Sequence, residues 1–304
     1  MIGYLGPEGT FTHQALLEHF GQSPDARPLA STRDVLAGVA SGALEAGFLP
    51  IENSIEGSVN VTIDALAIDN DTCVIAGEHV LPITFDLLAV PGASRDDIRV
   101  VRSHPHALAQ CRAFLDANGW SSEETLSTAA ACRSVTEGGD KSIAAVAAPI
   151  AAEMYGLAAL QSGVADHDGA ETRFIVIGRE CPPPTGRDRT SFVALNLSED
   201  RPGSLVTILQ ELSSRGLNLT KVESRPMRTW LGTYYFFIEV EGHICDPLLA
   251  DAFKKVFWRS GGLEFLGSYP RARSRRPIIS DDRVVDEAEA AYREAVARVA
   301  TARG

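Results

Sequence analysis

Short apolar runs alternate with segments of helical spacing along the first 180 residues. The runs have the length of strands, and the segments between them place apolar residues three and four positions apart. The predicted strands are 2–5, 46–51, 99–102, 143–146 and 173–177, and the predicted helices are 12–20, 31–40, 104–118 and one opened by Ser127 and Thr128. Such alternation is typical of an α/β domain whose parallel or mixed sheet is covered by helices.

The pattern breaks at residues 181–190, which read Cys-Pro-Pro-Pro-Thr-Gly-Arg-Asp-Arg-Thr. Consecutive prolines hold a chain in an extended form. We therefore interpret 181–190 as a linker between a first domain at 1–180 and a second domain at 191–270.

The second domain has its own order of elements. Its predicted elements are a strand at 191–197, a helix at 204–215, strands at 219–225 and 233–240, a helix at 246–258 and a strand at 263–269. Gly216 follows the first helix, and glycine at that place commonly ends a helix. The order βαββαβ predicts a ferredoxin-like fold.

Residues 271–304 form a tail beyond both domains. Its apolar positions at helical spacing predict a helix, and they are Val285, Ala288, Tyr292, Ala295 and Val299. The tail opens with a basic cluster of Arg271, Arg273, Arg275 and Arg276. A surface helix that packs on the body or on a partner is the favoured interpretation. An arm that binds nucleic acid is the alternative, which the shortness of the cluster disfavours.

Composition excludes several classes of function. The net charge is −12, which argues against nucleic acid as the main partner. No apolar run approaches the roughly 20 residues of a membrane helix, and residues 1–7 read as a strand and a turn rather than a signal peptide. The five cysteines are scattered without a CxxC or Cys/His cluster. We therefore expect reduced thiols, no metal site and a cytoplasmic location.

Small polar residues stand at several strand-to-helix junctions of the first domain. They are Gly9 to Thr12, Ser103 with His104, and Ser127 with Thr128. Ligands of open α/β sheets bind outside the carboxyl ends of the strands, where helix N-termini offer N–H groups to anions. The junctions would suit a small di- or tricarboxylate. For any single serine or threonine, an ordinary N-cap is the simpler interpretation.

The segment from Pro50 to Asn60 is a dense polar stretch that directly follows a predicted strand. Its two carboxylates, two amides and two hydroxyls favour a functional loop, and the alternative is a turn built on asparagine and glycine. His104 and His106 flank Pro105 and could move protons near neutral pH. Neither has companions at metal-ligand spacing.

Glu171-Thr172-Arg173-Phe174 leads into the last strand of the first domain. Arg173 could bind a substrate carboxylate through its fork of donors, or it could pair with a local acid. Residues 1–180 contain 24 acids against 10 lysines and arginines, which favours the ion pair. In the second domain, the turns at 201–205, 216–219 and 223–226 could hold an amino acid, although ordinary turns are the favoured interpretation.

Taken in order, these segments resemble prephenate dehydratases. The matching motifs are residues 4–12, residues 50–54 through Val59, Ser103-His104-Pro105, and Glu171-Thr172-Arg173-Phe174. The second domain resembles the ACT regulatory domain fused to these enzymes, through Gly203-Ser204-Leu205-Val206 and Glu223-Ser224-Arg225-Pro226. The resemblance covers about residues 1–270 and leaves the tail outside.

The resemblance implies a fold and a reaction. The catalytic domain would have two α/β lobes, like periplasmic solute-binding proteins, with about 1–75 plus 166–180 in lobe one and about 76–165 in lobe two. The reaction would convert prephenate to phenylpyruvate, carbon dioxide and water, with phenylalanine as feedback inhibitor. The resemblance implies no metal or organic cofactor, and a dimer or tetramer with paired ACT domains.

The resemblance also implies roles for particular residues. The family's essential threonine corresponds to Thr172, which would donate a hydrogen bond to the leaving hydroxyl, because aromatisation leaves positioning and electrostatics to the protein. The other implied catalytic residues are Arg173, Phe174, Glu52, Asn53 and Ser54, and the implied substrate-binding residues are Thr10, Phe11, Ser103 and His104. Implied contacts to the phenylalanine effector are Gly203, Ser204, Leu205, Val206, Asn218, Leu219, Glu223 and Ser224.

Two departures from the family's pattern affect these expectations. His106 stands where many relatives have glutamine, and a neutral imidazole donates and accepts only in one fixed tautomer. Ser204 stands where alanine is usual. No chorismate mutase segment precedes Met1, so we expect a monofunctional enzyme. An arogenate dehydratase and a non-catalytic ligand sensor remain the alternative functions.

Overall fold

The computed structural model describes residues 1–21, 24–70, 72–195, 203–227 and 233–272. These residues form two mixed sheets and one antiparallel sheet. The predicted helix in the tail lies outside the described residues, as do Arg201, Pro202 and most of the basic cluster.

Lobe one is built on a six-stranded sheet. Its strands are β1 (Ile2–Leu5), β2 (Ala26–Leu29), β3 (Ala46–Asn53), β4 (Gly57–Ser58), β5 (Val74–Pro82) and β11 (Glu171–Gly178), and its helices are α1 (Phe11–Phe20), α2 (Thr32–Ala40) and α3 (Asn60–Ile68). The order is β2-β1-β3-β11-β5, with β4 paired to β3. β1 runs parallel to β2 and β3, whereas β11 is antiparallel to both of its neighbours.

Lobe two is built on a five-stranded sheet of order β10-β6-β9-β7-β8. Its strands are β6 (Asp86–Ala89), β7 (Val100–Ser103), β8 (Ser121–Glu124), β9 (Ile143–Ala147) and β10 (Ala158–Gln161), and its helices are α4 (Pro105–Gln110), α5 (Arg112–Asn118), α6 (Thr128–Gly138) and α7 (Ile150–Tyr155). A short 3-10 helix covers Arg95–Asp97. The predicted two-lobed α/β arrangement is confirmed.

The C-terminal domain has the predicted βαββαβ order. Its elements are β12 (Asp188–Leu195), α8 (Ser204–Ser213), β13 (Leu219–Pro226), β14 (Tyr234–Glu241), α9 (Pro247–Ser260) and β15 (Leu263–Pro270). The sheet is antiparallel with order β13-β14-β12-β15. A core that includes Phe192, Ile208 and Leu249 lies between one face of the sheet and the two helices.

The chain crosses between the lobes twice, and the two crossings pair with each other. Ile83 N donates to Ala170 O at 2.7 Å, and Val164 N donates to Phe85 O at 2.8 Å. The first crossing follows Pro82, later in the chain than the expected division near residue 75, because β5 pairs with β11 in the sheet of lobe one. The two crossings together form the floor between the lobes.

The other face of the C-terminal sheet packs on lobe one. One continuous core joins Ile51, Ile75 and Ile175 of lobe one to Tyr235 and Phe237 of the C-terminal sheet. At Gly267, φ is +141° and a Cβ atom would lie 2.3 Å from Ile75 O. Only glycine permits β15 to approach β5 this closely.

The single helix predicted at 104–118 is in fact two helices, α4 and α5. They meet at Cys111, whose φ of −117° and ψ of 16° are not helical. The carboxylate of Asp166 accepts from Ala113 N at 2.9 Å and from Phe114 N at 3.2 Å. These bonds satisfy first-turn donors of the new helix, so a residue distant in the chain stabilises the break.

Candidate active site

A cavity of about 450 Å³ opens between the lobes. It is lined by Phe11, Asn53, Glu56, Gly57, Ser58, Val59, Asn60, Ile83, Phe85, His106, Gln110 and Thr172. Lobe one supplies most of these residues, α4 of lobe two supplies His106 and Gln110, and the first crossing supplies Ile83 and Phe85. The cavity therefore lies where the two lobes and the floor between them meet.

The end of β3 and the start of β11 bring two candidate residues into contact. Thr172 and Asn53 are partners in the register of the two strands, and Asn53 Nδ2 donates to Thr172 Oγ1 at 2.8 Å. The other side of the same amide, Asn53 Oδ1, accepts from Ile55 N at 2.8 Å and Glu56 N at 3.0 Å. Asn53 is thus fixed by a local turn, and it uses an acceptor lone pair of Thr172 while leaving the hydroxyl proton of Thr172 free of that bond.

Ser54 ties the same two strand ends together without lining the cavity. Its Oγ accepts from Glu171 N at 2.9 Å, and its N donates to Glu171 O at 2.8 Å. The exposed Ser54 side chain therefore acts on the position of the Thr172 backbone rather than on a bound ligand.

Successive side chains of β11 enter different cores. Phe174 is 1% exposed and stacks on Phe48 with ring centroids 5.4 Å apart, in the core that the two lobes share. Ile175 belongs to the core between lobe one and the C-terminal sheet. Because side chains alternate along a strand, Thr172 faces the cavity and Arg173 points away from it.

Arg173 lies in a buried cluster of charges at the boundary with the C-terminal domain. Its guanidinium donates to Glu239 at 3.0 and 2.8 Å, to Glu52 at 2.8 Å and to Glu78 at 3.1 Å. Arg189 bonds Glu78 at 2.9 Å, and Lys221 bonds Glu52 at 2.9 Å. Three carboxylates and three cations thus balance among the described residues of this cluster.

The pKa values in the cluster follow from burial and pairing. Burial alone would raise the pKa of the Glu239 and Glu52 carboxyls, but the adjacent Arg173 holds both below their ordinary values. Burial would lower the pKa of Arg173, and Glu239 instead raises it well above its ordinary value. All three groups are charged at neutral pH, so Arg173 and Glu52 are an ion pair of the fold and line no part of the cavity.

Two helices begin at the cavity. α1 begins at Phe11 and α3 begins at Asn60, and both residues line it. First-turn N–H groups have no partner within their own helix, and the N-terminal end carries partial positive charge. Val59, the N-cap residue of α3, forms no side-chain cap bond. The cavity therefore offers two places suited to carboxylates.

Three of the expected substrate-binding residues form hydrogen bonds within their own segments or to a neighbouring strand. They are Thr10, Ser103 and His104. Thr10 caps α1, accepting from His13 N, and its hydroxyl donates to Pro7 O at 2.9 Å. Ser103 is fully buried and donates to Val146 O at 2.6 Å. His104 caps α4. Burial is the main cause that lowers the pKa of its imidazole, and the nearby His106 lowers it further. None of the three lines the cavity, whereas Phe11 does, with its ring edge-on to Phe85 at 5.1 Å.

Glu56 bridges the lobes at the mouth of the cavity. Its carboxylate lies 3.8 Å from His106 Nδ1 and 3.5 Å from Gln110 Nε2. His106 and Gln110 are one helical turn apart on α4, so they face the same side. Gln110 Oε1 is buried and has no hydrogen-bond partner among the described residues, which leaves an acceptor available at the cavity.

A second contact joins the lobes at the start of the chain. Tyr155 OH of α7 donates to Glu8 O at 2.8 Å, and a Cβ atom at Gly9 would lie 2.6 Å from the Tyr155 ring. Together with the Glu56 contacts, this bond connects the two lobes.

Two protein-family models match the chain. The model for prephenate dehydratase matches residues 2–182, and the model for the ACT domain matches residues 193–257. The prephenate dehydratase of Mycobacterium tuberculosis is 43% identical over 296 residues, which cover 92% of this chain and 91% of the relative. The chain belongs to the prephenate dehydratase family. It is a lyase of phenylalanine biosynthesis, its substrate is prephenate, and its C-terminal domain is an ACT domain.

Two solved structures resemble this chain over most of its length. A prephenate dehydratase from Arthrobacter aurescens, solved in complex with L-Phe, is 36% identical with a TM-score of 0.82, covering 98% of this chain and 99% of its own. GqqA, described as a novel type of quorum-quenching acylase, is 30% identical with a TM-score of 0.80, covering 90% of this chain and 99% of its own.

The expected effector residues of this prephenate dehydratase fall into two groups. Gly203 is the N-cap residue of α8, whose first turn contains Ser204, Leu205 and Val206, while Asn218 directly precedes β13 and Leu219 begins it. Val206 is 55% exposed, and Asn218 and Ser224 are also exposed. Glu223 differs from both groups in accepting a hydrogen bond from Ser58 of the cavity lining.

Sequence reasoning missed several lining residues of this prephenate dehydratase. Gln110 could have been found, since it follows His106 by four positions on a predicted helix. Ile83 and Phe85 carry no local signal, because they lie where the chain crosses between the sheets. No group of three or more His, Cys, Asp or Glu side chains among the described residues could hold a metal ion. Within the same residues, no helix is both long and apolar enough to span a membrane.

Proposed function

We propose that prephenate is converted to phenylpyruvate in the cavity between the lobes, with Thr172 as the hydrogen-bond donor to the leaving hydroxyl. The observation that carries this proposal is the bond from Asn53 Nδ2 to Thr172 Oγ1. It orients the threonine oxygen as an acceptor and leaves the hydroxyl proton for a ligand.

The reaction requires little covalent chemistry from the protein. The bond to the ring carboxylate breaks, its electron pair enters the ring as carbon dioxide leaves, and the C–O bond of the ring hydroxyl breaks. The departing hydroxyl takes up one proton from the solvent and so leaves as water. A hydrogen bond from Thr172 stabilises the negative charge that develops on the leaving oxygen, and removing such a donor typically costs a factor of about 100 to 1,000 in rate.

The rest of the lining suits the remaining parts of prephenate. The N-terminal ends of α1 and α3 favour its two carboxylates. Phe11, Ile83 and Phe85 offer apolar surface to the ring. Gln110 Oε1 is a free acceptor that a bound hydroxyl could satisfy.

The lining favours dehydration over the acyl hydrolysis suggested by the likeness to GqqA. Nucleophilic acyl transfer uses a hydroxyl or thiol that is hydrogen-bonded to a general base such as histidine. In the described lining, Thr172 is bonded to an amide and Ser58 to the carboxylate of Glu223, and neither is bonded to His106.

Regulation by phenylalanine is the second part of the proposal. The ACT match and the L-Phe complex of the Arthrobacter aurescens relative support an effector site at the start of α8 and of β13. Gly203, Ser204, Asn218 and Leu219 would provide its backbone donors and acceptors. The family's role in biosynthesis supports a cytoplasmic location, and the pairing of ACT domains in the family supports a dimer or tetramer.

The decisive assay follows phenylpyruvate formation from prephenate, with arogenate as the competing substrate. Thr172→Val preserves shape and removes the donor, so kcat should fall about 100-fold or more, whereas Thr172→Ser should retain much of it. Thermal unfolding is the control, because valine leaves Asn53 Nδ2 without an acceptor at a cost of about 1–3 kcal/mol.

A folded Thr172→Val enzyme that keeps its kcat would refute the assigned role of Thr172. Phenylalanine should lower wild-type turnover and bind measurably by calorimetry. Absence of binding would refute the regulatory part alone.

A further inference from the structure

The cavity wall formed by residues 57–60 is supported from outside by one strand of the ACT domain. Gly57 and Ser58 form the two-residue strand β4, which folds back on β3. Asn60 opens α3. The inner side of this wall lines the cavity, and its outer side faces β13.

Alternate residues of β13 reach lobe one. Lys221 Nζ donates to Glu52 Oε1 at 2.9 Å. Two residues on, Glu223 accepts from Ser58 Oγ. Two residues further, Arg225 donates two hydrogen bonds of 3.0 Å to the Asp64 carboxylate and one more to Asn60 Oδ1. The period of two is that of a strand, so a single face of β13 makes all of these contacts.

These contacts are shielded from water. The side chains of Lys221, Arg225 and Asp64 are 10%, 15% and 9% exposed, and that of Glu223 is 23% exposed. Low exposure strengthens charge-assisted hydrogen bonds relative to those at an open surface. The intervening Val222 is 42% exposed and lies on the opposite face of the strand.

Ser58 is the point where this face meets the cavity. The same serine lines the cavity and donates its hydroxyl proton to Glu223. The bond therefore fixes both the rotamer of Ser58 and the place of the wall. Glu223 itself is not among the residues that line the cavity.

We propose that Glu223 of the ACT domain is a positioning residue for prephenate binding and that it acts through Ser58. The inference rests on the proposed placement of the substrate in the cavity. It assigns the glutamate of the Glu223-Ser224-Arg225-Pro226 motif to the substrate wall rather than to the effector site.

The test is a double-mutant cycle on the full-length chain. Glu223→Ala should raise KM for prephenate about tenfold, the factor expected for one charge-assisted hydrogen bond, and should leave kcat within about twofold. Ser58→Ala should do the same, and the double variant should be no worse than either single variant, because both remove one bond. Glu223→Gln keeps an acceptor for Ser58 and should recover most of the lost affinity.

Binding separates this inference from the assignment of the reaction. The dissociation constant of prephenate is measured by calorimetry in the Thr172→Val background, where turnover plays no part. Glu223→Ala should weaken binding about tenfold there too, and the control Val222→Thr should leave it unchanged.

A Glu223→Ala protein that binds prephenate as tightly as its parent overturns the inference. Additive effects of Glu223→Ala and Ser58→Ala also overturn it, because Glu223 would then act independently of Ser58. A lower unfolding temperature with an unchanged KM overturns it as well, because that result would assign Glu223 to domain docking alone.

Discussion

Glu239→Gln changes the net charge of the buried cluster by one unit and hardly alters the shape of the side chain. Glu239 is 1% exposed, and its carboxylate accepts from Arg173 at 3.0 and 2.8 Å and from Ser191 Oγ at 3.2 Å. Glutamine retains one of the two acceptor oxygens and places an NH₂ group against the guanidinium. The three carboxylates and three cations then become two and three, which leaves one positive charge buried without compensation.

The size of the loss follows from burial. Removing one partner of a buried ion pair typically costs about 3–5 kcal/mol. Glu52 and Glu78 still flank Arg173, so we expect the lower end, about 3 kcal/mol. At roughly 2–4 °C per kcal/mol for a chain of this size, the unfolding temperature should fall by about 6–12 °C.

A matched control lies on the same strand. Glu241 pairs with Arg271, but its side chain is 37% exposed, so Glu241→Gln should cost less than about 1 kcal/mol. Both variants are compared with the wild type by scanning calorimetry at neutral pH. Equal unfolding temperatures for Glu239→Gln and Glu241→Gln would refute the argument that burial gives the Arg173 cluster its strength.

Two further predictions concern pH and closure of the lobes. Glu52 and Glu239 have depressed pKa values in the folded protein, so their stabilisation is present above the unfolded value of about 4.3 and is lost as pH falls through the folded values. As the pH is lowered below about 4, the unfolding temperature should therefore fall, and it should fall less steeply in Glu239→Gln than in the wild type. Equal slopes of unfolding temperature against pH in the two proteins would contradict this reasoning. Tyr155→Phe removes the bond to Glu8 O and should raise KM about two- to fivefold with kcat preserved, since lobe closure becomes less favourable; an unchanged KM in steady-state assays would contradict it.

The path of β11 shows how far the sequence could predict the site. In Glu171-Thr172-Arg173-Phe174, the period of two already indicates that Thr172 and Arg173 face opposite sides, and the acidic surroundings indicate an ion pair for Arg173. The partner Glu239 follows 66 positions later, in another domain. No local pattern identifies it, because only the packing of the ACT sheet on lobe one brings the two together.

Two of the elements missed by pattern reasoning lack the contrast between apolar and polar positions on which that reasoning depends. β8 reads Ser-Ser-Glu-Glu and is fully exposed, so its strand conformation comes from pairing with β7 and not from burial. α3 has six apolar residues among nine and also buries Thr62 and Asp64, so it lacks the exposed polar face that predicts an amphipathic helix. Missing α3 also concealed the helix N-terminus at Asn60, one of the two positive ends at the cavity.

The alternation along β11 also decides what a change at the cluster does to catalysis. Thr172 and Arg173 are adjacent in sequence, yet the one faces the cavity and the other the ACT boundary. A perturbation of Glu239 reaches Thr172 through the backbone of β11, or through Glu52 and the backbone of β3, and the Ser54 bonds and the pairing of the two strands hold both backbones in place. Stability and turnover therefore depend on different bonds of one strand. Glu239→Gln should lose far more stability than turnover. Comparable losses of both would mean that the strand moves as a unit with the ACT sheet.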